Sequence, residues 1–139
     1  SSNQQDLSTQ KEIDFLGAIG CSRVYGYLHI RGSQWWSIDN LDGLRNITSV
    51  GTDLTIERNH RLTNLDGLAK LTSVGRSLYI HANDALTNLD GLRNITSVGG
   101  NLSIWSNAAL NNLDGLAKIT SLSGWVGLRI QDNNALTNL

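Results

Sequence analysis

The 139 residues have the length of one ordinary domain, and 11 Lys and Arg against 12 Asp and Glu give a formal net charge of −1. This balance provides no long-range field for a polyanion, so we expect no nucleic-acid partner. No apolar run approaches the roughly 18 to 20 residues that a membrane span needs, so we expect no membrane insertion. The single cysteine, Cys21, excludes an internal disulfide and a cysteine-rich zinc site, and we expect it to be buried.

Residues 1–20 do not repeat, and we predict an N-terminal cap on the rest of the chain over residues 1–23. The stretch STQKEIDFLGAIG is typical of a short helix, because Thr9 and Glu12 have the spacing of a capping box. A repeat structure needs a polar-faced element over its first coil. The apolar cover under this helix is expected from Ile13, Phe15 and Leu16.

A repeat of 24 residues occupies most of the remaining chain. Its copies run over 40–63, 64–87 and 88–111, a fourth with two extra residues runs over 112–137, and a partial, lengthened copy begins at Val24. The apolar positions stay constant, and each "LxI" stretch alternates as a strand does. Coils that bend at the same letters stack about 4.8 Å apart. We therefore predict a solenoid of short strands over residues 24–139, within a single domain.

Two polar columns also repeat. An Asn follows each "LxI" strand, where its amide can satisfy main-chain groups at a bend, and we interpret this ladder as structural. Its members are Asn59, Asn83, Asn107 and Asn133. The Asp of each "NLDGL" could form a metal ladder, but we favour exposed Asp-Gly turns. These residues are Asp42, Asp66, Asp90 and Asp114.

The stretches LTIERNHRLTNLDGLAKLTSVG and LYIHANDALTNLDGLRNITSVGGNLSI resemble the leucine-rich repeat of the receptor L domain. That repeat has the form LxIxxNxxLxxLxGLxxLxxIxGxLxI and occurs in insulin- and EGF-type receptor ectodomains and in fungal GPI-anchored cell-wall proteins. The resemblance covers residues 24–139 and implies a mainly β fold, a right-handed β-solenoid of about five coils, at an extracellular or cell-surface location. The copies are far more alike than those of the receptors, which suggests recent duplication of a 48-residue pair or a consensus-like, designed version.

The letters that change lie at alternate positions of the "LxI" strands, so they should share one outward surface. We call this surface the varied face. Its predicted ligand-binding residues are His29, Arg31, Thr55, Glu57, Tyr79, His81, Ser103, Trp105, Arg129 and Gln131. The mixture of aromatic, basic and hydrogen-bonding groups is typical of binding hot spots. We predict a binding module for a protein or glycan ligand.

Two other functions stay open. A purely structural or engineered scaffold would carry the same varied letters through drift at exposed positions. Ice binding would use the repeated Thr and Ser columns, such as Thr48, Thr72, Thr96 and Thr120 beside Ser49, Ser73, Ser97 and Ser121. It ranks third, because a strand exposes only one of two adjacent residues.

No catalytic constellation is evident in the sequence. His29 and His81 lie in different columns and two coils apart, roughly 10 Å or more by the coil spacing, and His60 lies in a turn. A nucleophile with its base, a carboxylate pair or a metal site would need groups within reach of one another. We expect no enzyme activity, no cofactor and no bound metal.

The ends and insertions leave further alternatives. Asn46, Asn94 and Asn101 fit the N-glycosylation pattern, which matters if the chain is secreted. Trp35 and Trp36 in the lengthened first coil either rim the varied face or plug an end of the stack, as does Trp125. The last coil should present Leu128, Ile130 and Leu136. Further repeats, end-to-end self-association through this coil, or a covering by the Trp125 insertion would satisfy its exposed edge.

Overall fold

The computed structural model describes residues 3–123 and 127–137. In chain order its elements are β1 (Gln5–Leu7), α1 (Gln10–Ala18), β2 (Arg23–Val24), β3 (Leu28–Arg31), β4 (Ser49–Val50), β5 (Leu54–Glu57), β6 (Ser73–Val74), β7 (Leu78–His81), β8 (Ser97–Val98), β9 (Leu102–Trp105), β10 (Ser121–Leu122) and β11 (Leu128–Gln131). Single-turn 3₁₀ helices occupy Asp42–Leu44, Asp66–Leu68, Asp90–Leu92 and Asp114–Leu116. Short strands joined by tight bends are therefore confirmed.

The strands form two parallel sheets, of six strands in the order β1-β3-β5-β7-β9-β11 and of five in the order β10-β8-β6-β4-β2. Equivalent letters of successive copies pair, so that Leu54 lies opposite Leu78 and Ile56 opposite Ile80. This in-register stacking of like on like is the solenoid-like arrangement that the repeat predicts. The handedness and the number of coils stay predictions.

One apolar core collects side chains from both sheets and from the 3₁₀ helices. Leu54, Ile56, Leu62 and Leu68 have no exposed surface, and Val50 has almost none. Each buried aliphatic side chain of this kind stabilises the fold by roughly 1.5 to 3 kcal/mol. Since a single 24-residue copy could not enclose such side chains, the stacking of copies is what produces the core.

The asparagine ladder lies inside the stack and is structural, as predicted. The amide oxygen of Asn83 accepts hydrogen bonds from the main-chain N–H of Asn59 at 3.1 Å and from its side-chain amide at 3.0 Å. The Asn83 amide nitrogen donates to the carbonyl of Ile56 at 2.9 Å and to the side chain of Asn107 at 3.2 Å. The residue before each of these asparagines has a positive φ of 53° to 55°, as at Ala82. The ladder thus satisfies the groups that this left-handed bend leaves open.

The 3₁₀ turns stack so closely that their glycine is required. A Cβ on Gly67 would lie 1.8 Å from the carbonyl oxygen of Leu41 in the preceding coil. The aspartate that opens each turn is exposed, and its main-chain N–H is bonded locally, as from Asp42 to the Asn40 side chain at 3.0 Å. These contacts fit the interpretation of the Asp column as turn residues.

The predicted N-terminal helix is confirmed as α1, with the capping box present. The Thr9 hydroxyl accepts from the Glu12 N–H at 3.3 Å, and the Glu12 carboxylate accepts from the Thr9 N–H at 3.0 Å. Ile13 and Leu16, three residues apart, share the buried side of the helix. Phe15 does not cover the core as expected, because its position rotates it toward solvent, where 62% of it is exposed.

Two features flank this helix. Cys21 is buried, as predicted. Residues Gln5–Leu7 form β1, which the sequence did not predict, and β1 pairs with β3 as the first strand of the larger sheet. The division into a cap over 1–23 and a solenoid over 24–139 stays a prediction.

The last described coil exposes apolar surface, as expected. Leu128 is 55% exposed, and Ile130 and Leu136 are half-buried. A cavity of about 450 Å³ opens there between β11 and the last 3₁₀ turn. Trp125 lies outside the described residues, and self-association through this coil stays a prediction.

Candidate ligand-binding face

The ten predicted site residues lie on the outer side of the six-stranded sheet in two columns. The strand register places His29, Thr55, Tyr79, Ser103 and Arg129 in the first column. It places Arg31, Glu57, His81, Trp105 and Gln131 in the second. The alternation of each strand sends the intervening Leu and Ile into the core, so both columns remain on one surface.

Nine of the ten residues are partly or fully exposed. Ser103 is the exception and is only 7% exposed, contrary to the expectation of an accessible site residue. Its short side chain lies between the much longer Tyr79 and Arg129 of the two flanking strands. Ser103 is therefore part of the floor of the face.

Glu57 joins two histidines that the sequence analysis held apart. Its carboxylate contacts His29 Nε2 at 2.7 Å through one oxygen and His81 Nε2 at 3.3 Å through the other. Arg31 and Arg58 add longer contacts of 4.0 and 3.9 Å from their Nε atoms. The two histidines are two coils apart, and the side chain of Glu57 lies between them and spans the gap. One carboxylate thus links three neighbouring strands, β3, β5 and β7.

The network continues across the unpredicted strand β1. His29 Nδ1 contacts the Asp6 carboxylate at 3.2 Å, and the Tyr27 hydroxyl donates to the other Asp6 oxygen at 2.6 Å. We call the series Tyr27, Asp6, His29, Glu57 and His81 the carboxylate–imidazole chain. Asp6 lies beside His29 in the sheet register, so it extends the first column. No repeated letter points to Asp6, because β1 precedes the first recognisable copy.

The pKa values of this network reflect its burial and its charges. Burial raises the pKa of the Glu57 carboxyl, but the hydrogen bond from His29 and the charges of His81, His29 and Arg31 outweigh it and lower that pKa. Burial lowers the pKa of His81 and outweighs the opposing charge of Glu57, with Arg58 among the groups that lower it further. The hydrogen bond to Asp6 raises the pKa of Tyr27. The Glu57 carboxyl is therefore ionised at neutral pH.

An aromatic cluster adjoins the carboxylate–imidazole chain and shares His81 with it. The His81 ring stacks on Trp105, with centroids 4.0 Å apart and planes within 6°. Tyr79 meets Trp105 edge-on, at 6.4 Å and 81°. The Arg129 guanidinium carbon lies 5.5 Å from the centre of the Trp105 ring, within range of a cation–π contact. These contacts hold Trp105 between neighbouring strands in a defined orientation.

The other aromatic and titratable residues lie apart from this arrangement. Trp35 and Trp36 are 82% and 67% exposed, so they do not plug the stack. His60 pairs with Asp84 at 3.0 Å on exposed turns. Within residues 3–123 and 127–137, no group of His, Cys, Asp and Glu side chains is placed to hold a metal ion. In that same part of the chain, no helix has the length and apolar character to cross a membrane.

Comparison with known families agrees with this architecture. A family model described as Receptor L domain matches residues 20–139. The chain belongs to the receptor L domain family. Comparisons with curated proteins and with solved structures give no match. Receptor L domains are non-enzymatic binding domains of extracellular receptor ectodomains, and they generally bind protein ligands.

Proposed function

We propose that this receptor L domain binds a protein ligand, without catalysis, through the varied face of its six-stranded sheet. The observation that carries the proposal is the aromatic cluster of Tyr79, His81, Trp105 and Arg129. Tyr, Trp and Arg are the residues most enriched in interface hot spots. Here Trp105 is held by the stacked His81 ring, the edge-on Tyr79 ring and the Arg129 guanidinium, so little side-chain freedom is lost when a partner covers the cluster.

The carboxylate–imidazole chain supports the same proposal from the other side of the face. Glu57 is 13% exposed and already has its partners, so it needs no further charge from a ligand. Arg31 and Arg129 remain exposed at either end of the varied face and can contact acidic groups of a partner. The face thus combines a fixed, half-buried centre with cationic side chains near its rim, as interfaces between proteins do.

The architecture and location included in this proposal are a right-handed solenoid of about five coils on the outside of a cell. Parallel strands joined by crossovers are almost always connected in the right-handed sense, and this supports the handedness. The extracellular location rests on the ectodomains in which the family occurs.

The alternatives are less well supported. The Thr column of the ice-binding alternative bonds to the preceding coil, as in Thr48 to the Ser22 carbonyl at 3.0 Å and Thr72 to the Thr48 carbonyl at 3.1 Å. Those hydroxyl protons are donated to main-chain carbonyls of the protein itself, so they are not free to bond to ice. A purely structural scaffold gives no reason for the ordered contacts that run across all six strands of the larger sheet, from Asp6 on β1 to Arg129 on β11. A glycan would find the faces of the Trp105 ring flanked by His81 and Arg129.

The test is a binding screen of the domain against cell-surface protein ectodomains and glycans, repeated with a Tyr79→Ala/Trp105→Ala double variant. We expect a protein ligand whose dissociation constant rises about 30-fold or more in the variant, as for hot-spot residues. The control is Phe15→Ala/Tyr25→Ala, which removes two exposed aromatic rings elsewhere. Thermal unfolding of each variant verifies the fold. Unchanged binding by the double variant would contradict the proposal.

A further inference from the structure

The first, lengthened coil carries a closed turn with two adjacent tryptophans. Residues 32–37 turn so that Ser33 N–H donates to the Trp36 carbonyl at 2.9 Å and Trp36 N–H donates to the Ser33 hydroxyl at 2.9 Å. These two hydrogen bonds close the turn, and Trp35 and Trp36 are left 82% and 67% exposed. Neither indole N–H has a hydrogen-bond partner in the described part of the chain. Two adjacent indoles are therefore presented to solvent by a closed turn.

A cavity of about 450 Å³ lies between this turn and the first turn of α1. It is lined by Thr9, Gln10, Lys11, Trp35, Trp36 and Ser37. None of them belongs to the varied face. The volume falls within the range of about 300 to 1,000 Å³ that small-molecule sites occupy.

On the side of α1, the cavity wall is held by hydrogen bonds of the Gln10 side chain. The Gln10 amide oxygen accepts from the main-chain N–H of Asp39 at 2.9 Å and of Asn40 at 3.3 Å. The Gln10 amide nitrogen donates to Asp14 at 3.0 Å. Gln10 thus uses its amide in these bonds, forms one wall of the cavity and links α1 to residues 39–40, just after the turn of residues 32–37.

Other groups at the cavity keep unused hydrogen-bonding capacity. The Thr9 hydroxyl accepts from the Glu12 N–H but its own proton has no partner within the described residues. Lys11 has neither a hydrogen bond nor an ion pair in that part of the structure. The Ser37 hydroxyl donates to Asp39 at 3.4 Å and can still accept. The cavity thus offers indole faces beside donors at Thr9 and Lys11 and an acceptor at Ser37.

We propose that this cavity is a carbohydrate-binding site, separate from the varied face, in which a pyranose ring of an oligosaccharide stacks on Trp35 or Trp36. The face of an indole carries negative charge density and attracts the C–H groups of a sugar ring. The hydroxyls of the sugar would form hydrogen bonds with Thr9, Lys11 and Ser37. An anionic membrane surface fits less well. Lys11 is the one basic residue among the described residues that line the cavity. The carboxylate of Asp14 and the backbone of Asp39 both contact Gln10 in its wall.

The experiment titrates the intact chain, labelled with ¹⁵N at its four indoles, with cellohexaose, laminarihexaose, chitohexaose and mannohexaose. Indole resonances are assigned with single Trp→Phe variants. We expect at least one of these probes to shift the Trp35 and Trp36 resonances and to leave that of Trp105 in place. A Trp35→Ala/Trp36→Ala variant should then bind at least about tenfold more weakly, whereas Phe15→Ala/Tyr25→Ala should bind as the parent does.

Three outcomes would overturn the site. They are no shift with any of the four probes, a shift confined to Trp105 and Trp125, and unchanged affinity in the Trp35→Ala/Trp36→Ala variant. Both indoles are largely exposed, so their removal leaves the core intact, and the resonances of the parent chain locate the site without any variant. Because Trp105 reports on the varied face and Trp35 and Trp36 on the cavity, failure here is distinguishable from failure of the proposed protein-binding function.

Discussion

Replacing Asn83 with alanine tests whether the asparagine ladder holds the coils together. Asn83 is fully buried and makes four side-chain hydrogen bonds, two as acceptor and two as donor. Alanine leaves the buried main-chain N–H of Asn59 without its acceptor. An unsatisfied buried polar group costs about 1 to 3 kcal/mol, so we expect the free energy of unfolding to fall by at least about that amount. A domain of this size is stable by only about 5 to 15 kcal/mol.

The assay is urea denaturation followed by far-ultraviolet circular dichroism, with the slope held in common across variants. The matched control is Asn111→Ala, since Asn111 is exposed and, within residues 3–123 and 127–137, its side-chain oxygen accepts only from the neighbouring Asn112. We expect the control to change the free energy of unfolding by less than about 0.5 kcal/mol. A loss below about 1 kcal/mol in Asn83→Ala, or one equal to that of the control, would refute the role given to the ladder.

Three further predictions concern the stack, the cap and the varied face. Gly67→Ala places a Cβ 1.8 Å from the Leu41 carbonyl oxygen and should cost at least about 1 to 3 kcal/mol in urea unfolding, so a loss under about 0.5 kcal/mol would be inconsistent with the close stacking. Thr9→Ala removes the capping-box hydroxyl and should cost about 1 kcal/mol, seen as a lower thermal midpoint that Thr9→Ser restores. Because the pKa of His81 is lowered in the folded chain, the unfolded chain binds this proton first as pH drops, so the free energy of unfolding should fall below about pH 6.5. The lowered pKa of Glu57 should reduce the free energy of unfolding further below about pH 4.3, where the unfolded chain binds that proton first. In His81→Gln the loss of unfolding free energy between pH 7.5 and 5.5 should be smaller than in the parent, and an equal loss would contradict the burial of that imidazole.

The repeat made the interior predictable because equal letters at equal spacing must occupy equal environments. Leu54 and Leu78 could be placed in one column from sequence alone, and the sheet pairs them. The Asn ladder followed from its position after each strand. The capping box of Thr9 and Glu12 was equally legible, since it depends on local spacing only. The handedness of the coil could not be predicted from the repeat pattern, because a left-handed and a right-handed coil would place the same residues in the same columns.

The candidate site was predictable as a surface but not as a set of contacts. Column logic compares a residue with its lateral neighbour, as Glu57 with Arg31 or His81. The shortest contact of Glu57 is instead diagonal, to His29 one coil back and one column across. Diagonal neighbours in a sheet lie within reach of long side chains, so a search of diagonal pairs would have found this carboxylate. No such search would have found Asp6, whose strand carries no repeated letter.

Both candidate sites lie where the sequence departs from its own repeat, by changed letters on the varied face and by inserted ones at residues 32–37. The constant residues fix the surroundings of the varied ones, because hydrogen-bonded coils hold neighbouring strands about 4.8 Å apart. Each varied side chain therefore contacts defined residues of the coils before and after it. Glu57 therefore acts through the letters one coil before and one coil after it, at His29 and His81. Its removal would take the carboxylate partner from His81, Arg31 and Arg58 and leave His29 with Asp6 alone. The unit that recognises a ligand is thus a set of adjacent coils, and exchanging one coil for another copy of the repeat would disturb three strands at once.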